Sequence, residues 1–553
     1  GPAAARGAGV SGRAPKPDGD RPAILRYLGL SLLEGDDLTV RDGAVQMRIV
    51  SGLPPVGLHW RWLDVGFADP LELDGAPQIG TPGLVEAVRH GSVSMVNALG
   101  SGILKTRAFQ AFLPKIARAL LGERLALPKT ATERCGHPAE RAWVKANAEV
   151  IFIGRALSRA LPFDIGAGRS RASRPGGMAL SNRIDANAGD LVGQAAVTLS
   201  ITPVRDDGRL VPRPMSIRVF AARTPDGWTV LPVRSARIGR GDDATALSMQ
   251  QGGSVADVWV MRDGPTQAET LFDADTVRRG DRGMLPARAA DNLYWLGRYV
   301  ERTEGVIRLL RGCHPRLAET GAARDARRTR IADHLGRLAL DVNQPMRDAL
   351  GAARVCAGRV RDRVSVDGWA APRDLTRAMT AMSGTLAPGD DSARALGVLL
   401  RKITGFNGLV HETMHRSSGW RFLTFGPALA RADRAAAVLA AFAGDAIAPG
   451  LPDIALDYAD SRITHQRRYR VDPTDDTVAD LVARDADTPH AILFQVTAMR
   501  RLAQSLTGAH EAGRVSLGVR ALMPQETDLT VAHPSEIDGA RLSALRAALL
   551  DIS

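Results

Sequence analysis

The chain has 553 residues, enough for two or more globular domains, and 45% of them are hydrophobic, which is ordinary for a globular protein. Its net charge of +12 comes from 66 arginines and six lysines spread along the whole chain, and only 5% of the residues are aromatic. This dispersed charge argues against specific nucleic-acid binding, and no run approaches the roughly 18 apolar residues that cross a bilayer.

The cysteines indicate the compartment. Cys135, Cys313 and Cys356 are odd in number and widely spaced. They support neither a disulfide framework nor a four-thiolate zinc site. A reducing environment fits this usage best, so we expect a cytoplasmic protein.

The first half of the chain mixes strand and helix patterns. Residues 1–21 are rich in Gly, Pro and Ala and lack the apolar segment of a secretory signal, so we predict a disordered leader there. Alternating apolar and polar residues surround Asp42-Gly43 and Asp226-Gly227, which predicts two β-hairpins. Residues 108–122 have helical spacing and end in a glycine. The sequence therefore predicts an α+β fold for residues 22–272.

The second half has helical periodicity almost throughout. Residues 273–283 are polar and are predicted to be a linker. Beyond them we predict an all-α helical bundle over 284–553, because apolar residues recur at three- and four-residue intervals. After a first helix that starts near residue 284, further helices are predicted around 329–365, 372–386, 391–415, 420–443, 453–470, 476–484, 489–507 and 538–550.

This half also contains an internal repeat. Residues 294–304 align without a gap to residues 423–433, so that Gly297 matches Gly426, Arg302 matches Arg431 and Glu304 matches Asp433. A glycine inside a helix costs about 1 kcal/mol relative to alanine. Its recurrence at matched positions predicts that two helices approach each other closely.

A His-Glu-x-x-His pattern occurs at His411 to His415, the spacing that zinc peptidases use on a helix. A working zinc site needs a third protein ligand. No glutamate lies between Glu412 and Glu511, and Ser418 stands where one peptidase class has a glycine. We therefore expect no zinc and no metalloprotease activity.

A strip of charged residues lies on the first predicted helix of the bundle: Arg298, Glu301, Arg302 and Glu304. Two interpretations are open. The residues could pair with one another along the helix at i,i+3 and i,i+4 spacing. They could instead form a polar pocket inside the bundle.

Four separated blocks of the helical half occur in the order of a known bacterial family. They are "MLPARAADNLYWLGRYVERTE", "HETMHRSSGWRFLTFGPALARAD", "YADSRITHQRRYR" and "LVARDADTPHAILFQ". Residues 284–553 therefore resemble the alpha-E domain. Thr413, Met414 and the pair Gly419-Trp420 match the pattern of that family, whereas the two histidines are not part of it.

The first half resembles the C-terminal part of the circularly permuted ATP-grasp family over residues 22–272. The blocks that carry this resemblance include "RYLGLSLLEGDDLTVRDG", "FADPLEL" and "GTPGLVEAVRHGSVSMVNALGSGILKTRAFQAFLPKIARALLGERLALP". Family members continue upstream of the first block. We expect the nucleotide cleft to be partial here, because the chain is either part of a longer product or a shortened relative.

The resemblance implies ATP and Mg²⁺ as cofactors and the chemistry of ATP-dependent carboxylate–amine ligases, which form peptide-like bonds. It places candidate phosphate-binding residues in and around "NALGSG", with basic residues on nearby strands, and candidate Mg²⁺ ligands in "RWLDVGFADPLEL". The phosphate candidates are Asn97, Gly100, Ser101, Gly102, Arg61 and Arg155. The Mg²⁺ candidates are Asp64, Asp69 and Glu72. The catalytic residues stay unassigned.

Several positions depart from the family pattern. Trp62 replaces the second of two arginines, Lys105 replaces a glutamate, and Arg155 is followed by Ala156 where a proline is usual. These departures predict a divergent ligase relative that has kept or lost its activity. The alternative is a non-catalytic scaffold. The resemblance also implies a pathway with a peptide or protein substrate and with transglutaminase-like and proteasome-like peptidase partners.

Overall fold

The computed structural model describes residues 7–10, 30–74, 79–158, 180–195, 199–231, 234–239, 253–261, 285–317, 325, 328–333, 344–361, 363–382, 390–442, 451–506, 510–511 and 514–552. The chain forms two compact units. Unit 1 combines Gly1–Val96 with Arg279–Ser553, and unit 2 is Asn97–Arg278. The predicted linker at 273–283 lies outside the described residues.

The N-terminal part of unit 1 contains six strands: β1 (Gly7–Val10), β2 (Ser31–Leu33), β3 (Leu38–Arg41), β4 (Ala44–Met47), β5 (Leu58–Arg61) and β6 (Ser94–Val96). Four of them form a parallel sheet in the order β2-β1-β5-β6. Since β1 lies between β2 and β5, the prediction of a disordered leader over 1–21 is wrong for residues 7–10. Backbone hydrogen bonds to two neighbouring strands outweigh the Gly-rich composition of that segment.

A hairpin and a short helix complete this part of unit 1. Strands β3 and β4 pair in an antiparallel hairpin. Its turn residues Asp42 and Gly43 have φ values of 51° and 71°, so the predicted turn is confirmed. Helix α1 (Leu84–Arg89) follows Gly83, and it buries Leu84, Val85 and Ala87.

Unit 2 is a mixture of short helices and antiparallel strands, as the periodicity predicted. Its helices are α2 (Arg107–Leu121), α3 (Pro138–Ala146) and α4 (Leu180–Ala186), and α2 ends at Gly122, whose φ is 70°. Strands β7 (Thr132–Arg134), β8 (Ile151–Arg155) and β9 (Leu191–Ala195) form a sheet in the order β7-β9-β8.

A second sheet of unit 2 has the order β10-β11-β14-β15. It is made of β10 (Ile201–Asp206), β11 (Arg209–Arg218), β14 (Arg234–Ile238) and β15 (Ser254–Val258). Strands β12 (Ala221–Thr224) and β13 (Gly227–Val230) pair separately in an antiparallel hairpin, which confirms the turn predicted near Asp226-Gly227.

The rest of unit 1 is a helical bundle, so the predicted fold class of the second half is confirmed. Its helices are α5 (Ala287–Leu317), α6 (Gln344–Arg359), α7 (Val366–Met382), α8 (Asp390–Thr413), α9 (Ser418–Phe442), α10 (Pro452–Tyr458), α11 (Arg462–Tyr469), α12 (Asp475–Ala479), α13 (Ile492–Gln504), α14 (Leu517–Val531) and α15 (Gly539–Asp551). A short strand pair, β16 (His510–Glu511) and β17 (Arg514–Val515), lies between α13 and α14. Each helix of the described part is too short or too polar to span a membrane.

Within the described residues, the bundle differs from the sequence-based helices in several places: α7 begins at Val366 instead of 372, and two larger differences follow. The single helix predicted over 453–470 is two helices, because Asp460 has a φ of 49° and interrupts the helical backbone between α10 and α11. Helix α14 was not predicted. Pro524 lies inside it and disturbs the apolar spacing on which the helix prediction relied.

Helices α5 and α9 cross at the two glycines that the repeat matched. A Cβ atom added to Gly297 would lie 2.3 Å from the carbonyl oxygen of Leu423, and one added to Gly426 would lie 2.3 Å from the carbonyl oxygen of Tyr294. Only hydrogen side chains leave room for backbones this close. The predicted close approach of two helices is therefore confirmed.

The two parts of unit 1 are joined where α5 begins. The Ala287 amide donates to the Arg48 carbonyl at 3.1 Å, and the Val50 amide donates to the Leu285 carbonyl at 3.2 Å. The Arg288 guanidinium donates to both carboxylate oxygens of Asp37 at 3.2 Å. Because Asp37 is buried, this pair anchors the start of the bundle to the segment that precedes β3.

Candidate functional site

The predicted Mg²⁺ ligand Asp69 is fully buried, with 0% of its surface exposed. Its carboxylate accepts three backbone N–H groups: Oδ1 accepts those of Leu71 at 3.0 Å and Gly83 at 3.2 Å, and Oδ2 accepts that of Val85 at 3.0 Å. Two of these donors belong to the start of α1, whose first amides have no partner within the helix. Asp69 thus holds the N-terminus of α1 in place.

The neighbouring candidates also have intramolecular partners. Asp64 accepts the amide of Gly66 at 3.1 Å, Glu72 pairs with Arg89 at 2.7 Å, and the buried guanidinium of Arg61 donates to the carbonyl of Leu63. Within the described ranges, no three His, Cys, Asp or Glu side chains gather in a way that could hold a metal ion. Asp69 as placed does not suit a Mg²⁺ ligand, because its carboxylate is fully buried and accepts three backbone amides.

His59 is a buried polar residue of the same sheet that the sequence did not single out. It lies on β5 two residues before Arg61, so both side chains point to one face of the sheet, and its side chain is 1% exposed. Neither ring nitrogen has a hydrogen-bond partner in the described part of the chain. Burial, followed by the nearby charge of Arg61, lowers the pKa of His59 to about 4.

The phosphate candidates of unit 2 form an exposed turn. Asn97 and Gly100 have φ values of 60° and 82°, and the short 3-10 helix Ser101–Lys105, which contains Gly102, follows them. A Cβ added to Gly100 would meet no atom within 4 Å. Arg155 is exposed at the end of β8.

The His-Glu-x-x-His pattern does not lie on one helix. His411 belongs to α8, but that helix ends at Thr413 and His415 lies beyond it. The ring of His411 packs edge-on against Trp420, with centroids 6.0 Å apart. The zinc peptidase pattern requires two imidazoles one turn apart on the same helix, and His411 and His415 do not meet this requirement.

The charged strip of α5 belongs to a polar cluster inside the bundle. Glu301 is 3% exposed, and its partner lies on another helix: Arg431 of α9 donates Nε to Oε1 at 2.8 Å and Nη2 to Oε2 at 2.5 Å. Such a two-pronged pair is the geometry in which arginine binds a carboxylate most strongly. The contacts of Glu301 thus follow the polar-pocket interpretation, not pairing along the helix.

Glu304 extends the cluster by one helical turn. Arg308 donates Nε to its Oε1 at 2.8 Å, and Asn407 of α8 donates Nδ2 to its Oε2 at 3.0 Å. Arg308 also donates to Asp460, in the break between α10 and α11. The cluster therefore connects four parts of the bundle through groups that are individually costly to bury.

The charges of this cluster perturb their neighbours. Although burial opposes it, the carboxylate of Glu301 raises the pKa of Arg431, so we assign the pair as ionised. Burial, with the charges of Arg431 and Arg308, lowers the pKa of His490 to about 2. His490 is therefore neutral, and its buried Nε2 has no hydrogen-bond partner among the described residues.

An open groove of about 740 Å³ lies beside the cluster. Its lining carries three arginines and three aspartates that are paired with one another: Arg311, Arg316, Arg462, Asp453, Asp457 and Asp460. Asp460 belongs to both features, because it accepts from Arg308 and from Arg311.

Two family models match the chain. Circularly permuted ATP-grasp type 2 matches residues 21–239, and Alpha-E, an alpha-helical domain with a conserved ER motif, matches residues 285–553. The chain thus joins a segment similar to circularly permuted ATP-grasp type 2 proteins to a segment similar to alpha-E domains. The ATP-grasp match confirms the resemblance of the first half, and the alpha-E match confirms that of the second.

Relatives of the fusion are bacterial proteins described as uncharacterised. One from Mycobacterium tuberculosis is 27% identical over 583 residues, which covers 96% of this chain and 65% of the relative. A second from the same organism is 29% identical over 238 residues, 43% of each chain. One from Synechocystis is 28% identical over 244 residues, 44% of this chain and 50% of the relative. The chain thus spans about 65% of the length of the first of them.

The ER motif can be located in the alpha-E segment. Glu301-Arg302 is the only Glu-Arg pair of residues 285–553. Its glutamate points into the bundle and pairs with Arg431, whereas its arginine is exposed. Sequence reasoning singled out Glu301 but missed Arg431 as its partner, although the internal repeat matched Arg431 with Arg302.

Proposed function

We propose that this ATP-grasp/alpha-E fusion is a divergent relative of ATP-dependent carboxylate–amine ligases and serves as a non-catalytic scaffold or binding protein in a peptide-modification or proteolysis pathway. One observation carries the proposal. The carboxylate of Asp69 is engaged by three backbone amides that hold the start of α1. A Mg²⁺ ion that bound there would have to reach a fully buried carboxylate and share it with donors on which the local fold depends.

The replacements seen in the sequence support the same conclusion. Trp62 stands in place of a family arginine, and its ring packs edge-on against Trp60 with centroids 5.3 Å apart, so it acts as an aromatic packing residue. Lys105 is exposed at the end of the turn that follows Gly100. Trp62 cannot replace the charge of an arginine, and Lys105 has the opposite charge to the glutamate that is usual in the family.

Thermal unfolding of the purified chain with and without Mg-ATP tests the proposal. A nucleotide at 100 times its Kd would add about 2.7 kcal/mol to the free energy of unfolding. We expect no change in melting temperature at about 5 mM Mg-ATP, a concentration that would saturate any site with a micromolar Kd. A saturable rise in melting temperature would contradict the proposal.

Asp69→Asn is the matched variant. Asparagine has a single accepting oxygen, so it leaves at least one of the three buried amides without an acceptor; the variant should lose about 1–3 kcal/mol of stability, equally with and without Mg-ATP. If Asp69 held a nucleotide-bound metal, the wild type would be stabilised by Mg-ATP and the variant would not.

A ligase is the second candidate, and the turn of unit 2 favours it. Asn97 and Gly100 adopt left-handed backbone conformations in an exposed segment, a backbone shape that also occurs in anion-binding turns. In this case ATP and Mg²⁺ would be its cofactors. The test is release of inorganic phosphate from ATP that depends on an added carboxylate and an amine.

The proposed partners are a transglutaminase-like protein and a proteasome-like peptidase. The paired charges of the groove beside Asp460 give this chain a polar surface of the kind found at the rims of protein interfaces. Size-exclusion chromatography of the purified chain with each purified protein should give co-elution that does not require ATP. Separate elution at micromolar concentrations of both would contradict a scaffold role.

A further inference from the structure

The exposed half of the ER motif lies against an aromatic wall. The guanidinium carbon of Arg302 is 6.0 Å from the ring centroids of both Trp295 and Tyr299. These two rings are stacked, with centroids 5.3 Å apart. Arginine favours the faces of aromatic rings, so this wall fixes the position of a side chain that would otherwise sample many rotamers.

A second arginine is brought to the same face of α5 from α9. A Cβ at Gly305 would lie 3.3 Å from Cγ and 3.8 Å from Nε of Arg434, so the side chain of Arg434 passes over Gly305. Gly305 is three residues after Arg302, and residues at this spacing share a face of a helix. The glycine therefore makes room for Arg434 beside Arg302.

These two arginines differ from the others around α5. Arg308, Arg311, Arg316 and Arg431 each hold a carboxylate. Arg298, which lies 5.2 Å from the Trp295 ring, donates to the hydroxyl of Tyr294 at 2.6 Å. Within the part of the chain that the structure describes, Arg302 and Arg434 make no ion pair and no hydrogen bond. Asp433, a carboxylate that influences Arg302, is already held by Nε of Arg546 at 2.8 Å.

The positive charges also act on one another. Partial burial lowers the pKa of Arg302, and the charges of Arg298 and Arg434 lower it further. Guanidinium groups held close together repel, and an oxyanion between them would reverse the sign of that interaction.

We propose that Arg302 and Arg434 form an oxyanion-binding site on the α5–α9 face, which takes a carboxylate or phosphate group of a ligand whose apolar or planar part contacts Trp295 and Tyr299. The ER motif then has divided roles: Glu301 fixes α9 against α5 through Arg431, and Arg302 faces the ligand. This site stands apart from the proposed function, because it needs neither nucleotide nor Mg²⁺.

Isothermal titration of the purified full chain tests the site with two probes, inorganic phosphate and N-acetylglycine, at an ionic strength held constant with NaCl. We expect saturable binding of at least one probe. Binding of phosphate alone or of N-acetylglycine alone identifies which oxyanion the site takes. Arg302→Gln and Arg434→Gln should each weaken that binding tenfold or more, because each removes one of the two guanidinium forks.

Arg377→Gln is the control, since Arg377 lies on α7 with 72% of its side chain exposed and should leave the affinity unchanged. Arg302→Lys keeps the charge but not the fork, and it should bind more weakly than the wild type and more tightly than Arg302→Gln.

Stability without the probes separates a binding role from a structural one. Removing one of two like charges should leave the melting temperature of Arg302→Gln equal to or above that of the wild type. Two results would overturn the site: no binding of either probe up to about 10 mM, or binding that Arg302→Gln and Arg434→Gln leave within twofold of the wild type. A lower melting temperature in both glutamine variants, together with unchanged binding, would assign the arginines a purely structural role.

Discussion

At the residue scale, Glu301 is a carboxylate taken almost wholly out of water, and its two hydrogen bonds with Arg431 offset the cost of dehydrating both charges. The balance depends on both partners. When one is removed, the other remains buried without a counter-charge, which is far less favourable than the absence of both.

Glu301→Gln should therefore destabilise unit 1 by about 3–5 kcal/mol, since it leaves the charge of Arg431 uncompensated. Denaturant unfolding measures this loss. Glu412→Gln is the control, because Glu412 is exposed near the end of α8, and its effect should stay within about 0.5 kcal/mol. The double variant Glu301→Leu with Arg431→Met should be more stable than Glu301→Gln, because it leaves no unpaired buried charge. If the double variant had equal or lower stability, the ion pair would contribute more to folding than the mutual neutralisation of its two charges.

His59 makes the stability of the sheet depend on pH. Its folded pKa of about 4 is below the value of about 6.5 for an unfolded histidine, so between these values the unfolded chain binds a proton that the folded chain does not. The stability that this neutral histidine contributes is present above pH 6.5 and is lost as the pH falls, by about 3 kcal/mol on reaching pH 4.

His59→Leu should flatten the fall in the free energy of unfolding between pH 6.5 and 4, which denaturant unfolding at several pH values would reveal. His90→Gln should leave the slope unchanged, because the side chain of His90 is 61% exposed. The same slope in the wild type and in His59→Leu would contradict a lowered pKa of His59 in the folded protein.

At the element scale, the crossing of α5 and α9 depends on two matched glycines. Gly426→Ala would place a methyl group against the carbonyl oxygen of Tyr294 and the amide of Arg298, both of which belong to a helix backbone that cannot move locally. We expect a loss of about 2–3 kcal/mol in the free energy of unfolding.

Gly405→Ala provides the contrast. Gly405 lies in α8 with nothing within 4 Å of an added Cβ, so alanine should stabilise the protein by up to about 1 kcal/mol. If both substitutions stabilised the protein, the helices would be free to separate and the crossing would not be tightly packed.

The internal repeat and its two matched glycines illustrate how much of the fold could be predicted from the sequence. Periodicity predicted most helices and both hairpins, because burial of one face imposes a regular spacing. It could not choose between the two interpretations of Glu301, because Arg431 is 130 positions away and pairing across helices leaves no local pattern. Asp69 was interpreted as a metal ligand for a similar reason. It accepts the amide of Gly83, 14 residues further along the chain, and the sequence alone does not distinguish such an aspartate from one that binds a metal ion.

At the scale of the whole molecule, unit 1 joins the first 96 residues to the helical bundle. The join consists of backbone hydrogen bonds and the pair of Arg288 with Asp37. Because the aspartate is buried, loss of its partner should weaken both parts together.

Arg288→Ala should accelerate amide hydrogen exchange in β3 and β4 as well as at the start of α5, while exchange in the sheet of β10, β11, β14 and β15 stays as in the wild type. Arg394→Ala is the control, because its ion pair on α8 is almost fully exposed. Faster exchange confined to α5 would indicate that the N-terminal segment is stable without the bundle.

The division of unit 1 along the chain has a consequence for its synthesis. About 180 residues, 97 to 278, separate its two parts. At the usual pace of translation, the sheet strands would wait on the order of ten to forty seconds for the first helix that completes their unit. During that interval the nascent sheet would present unprotected edges, so this protein should draw on a holding chaperone while it is being translated.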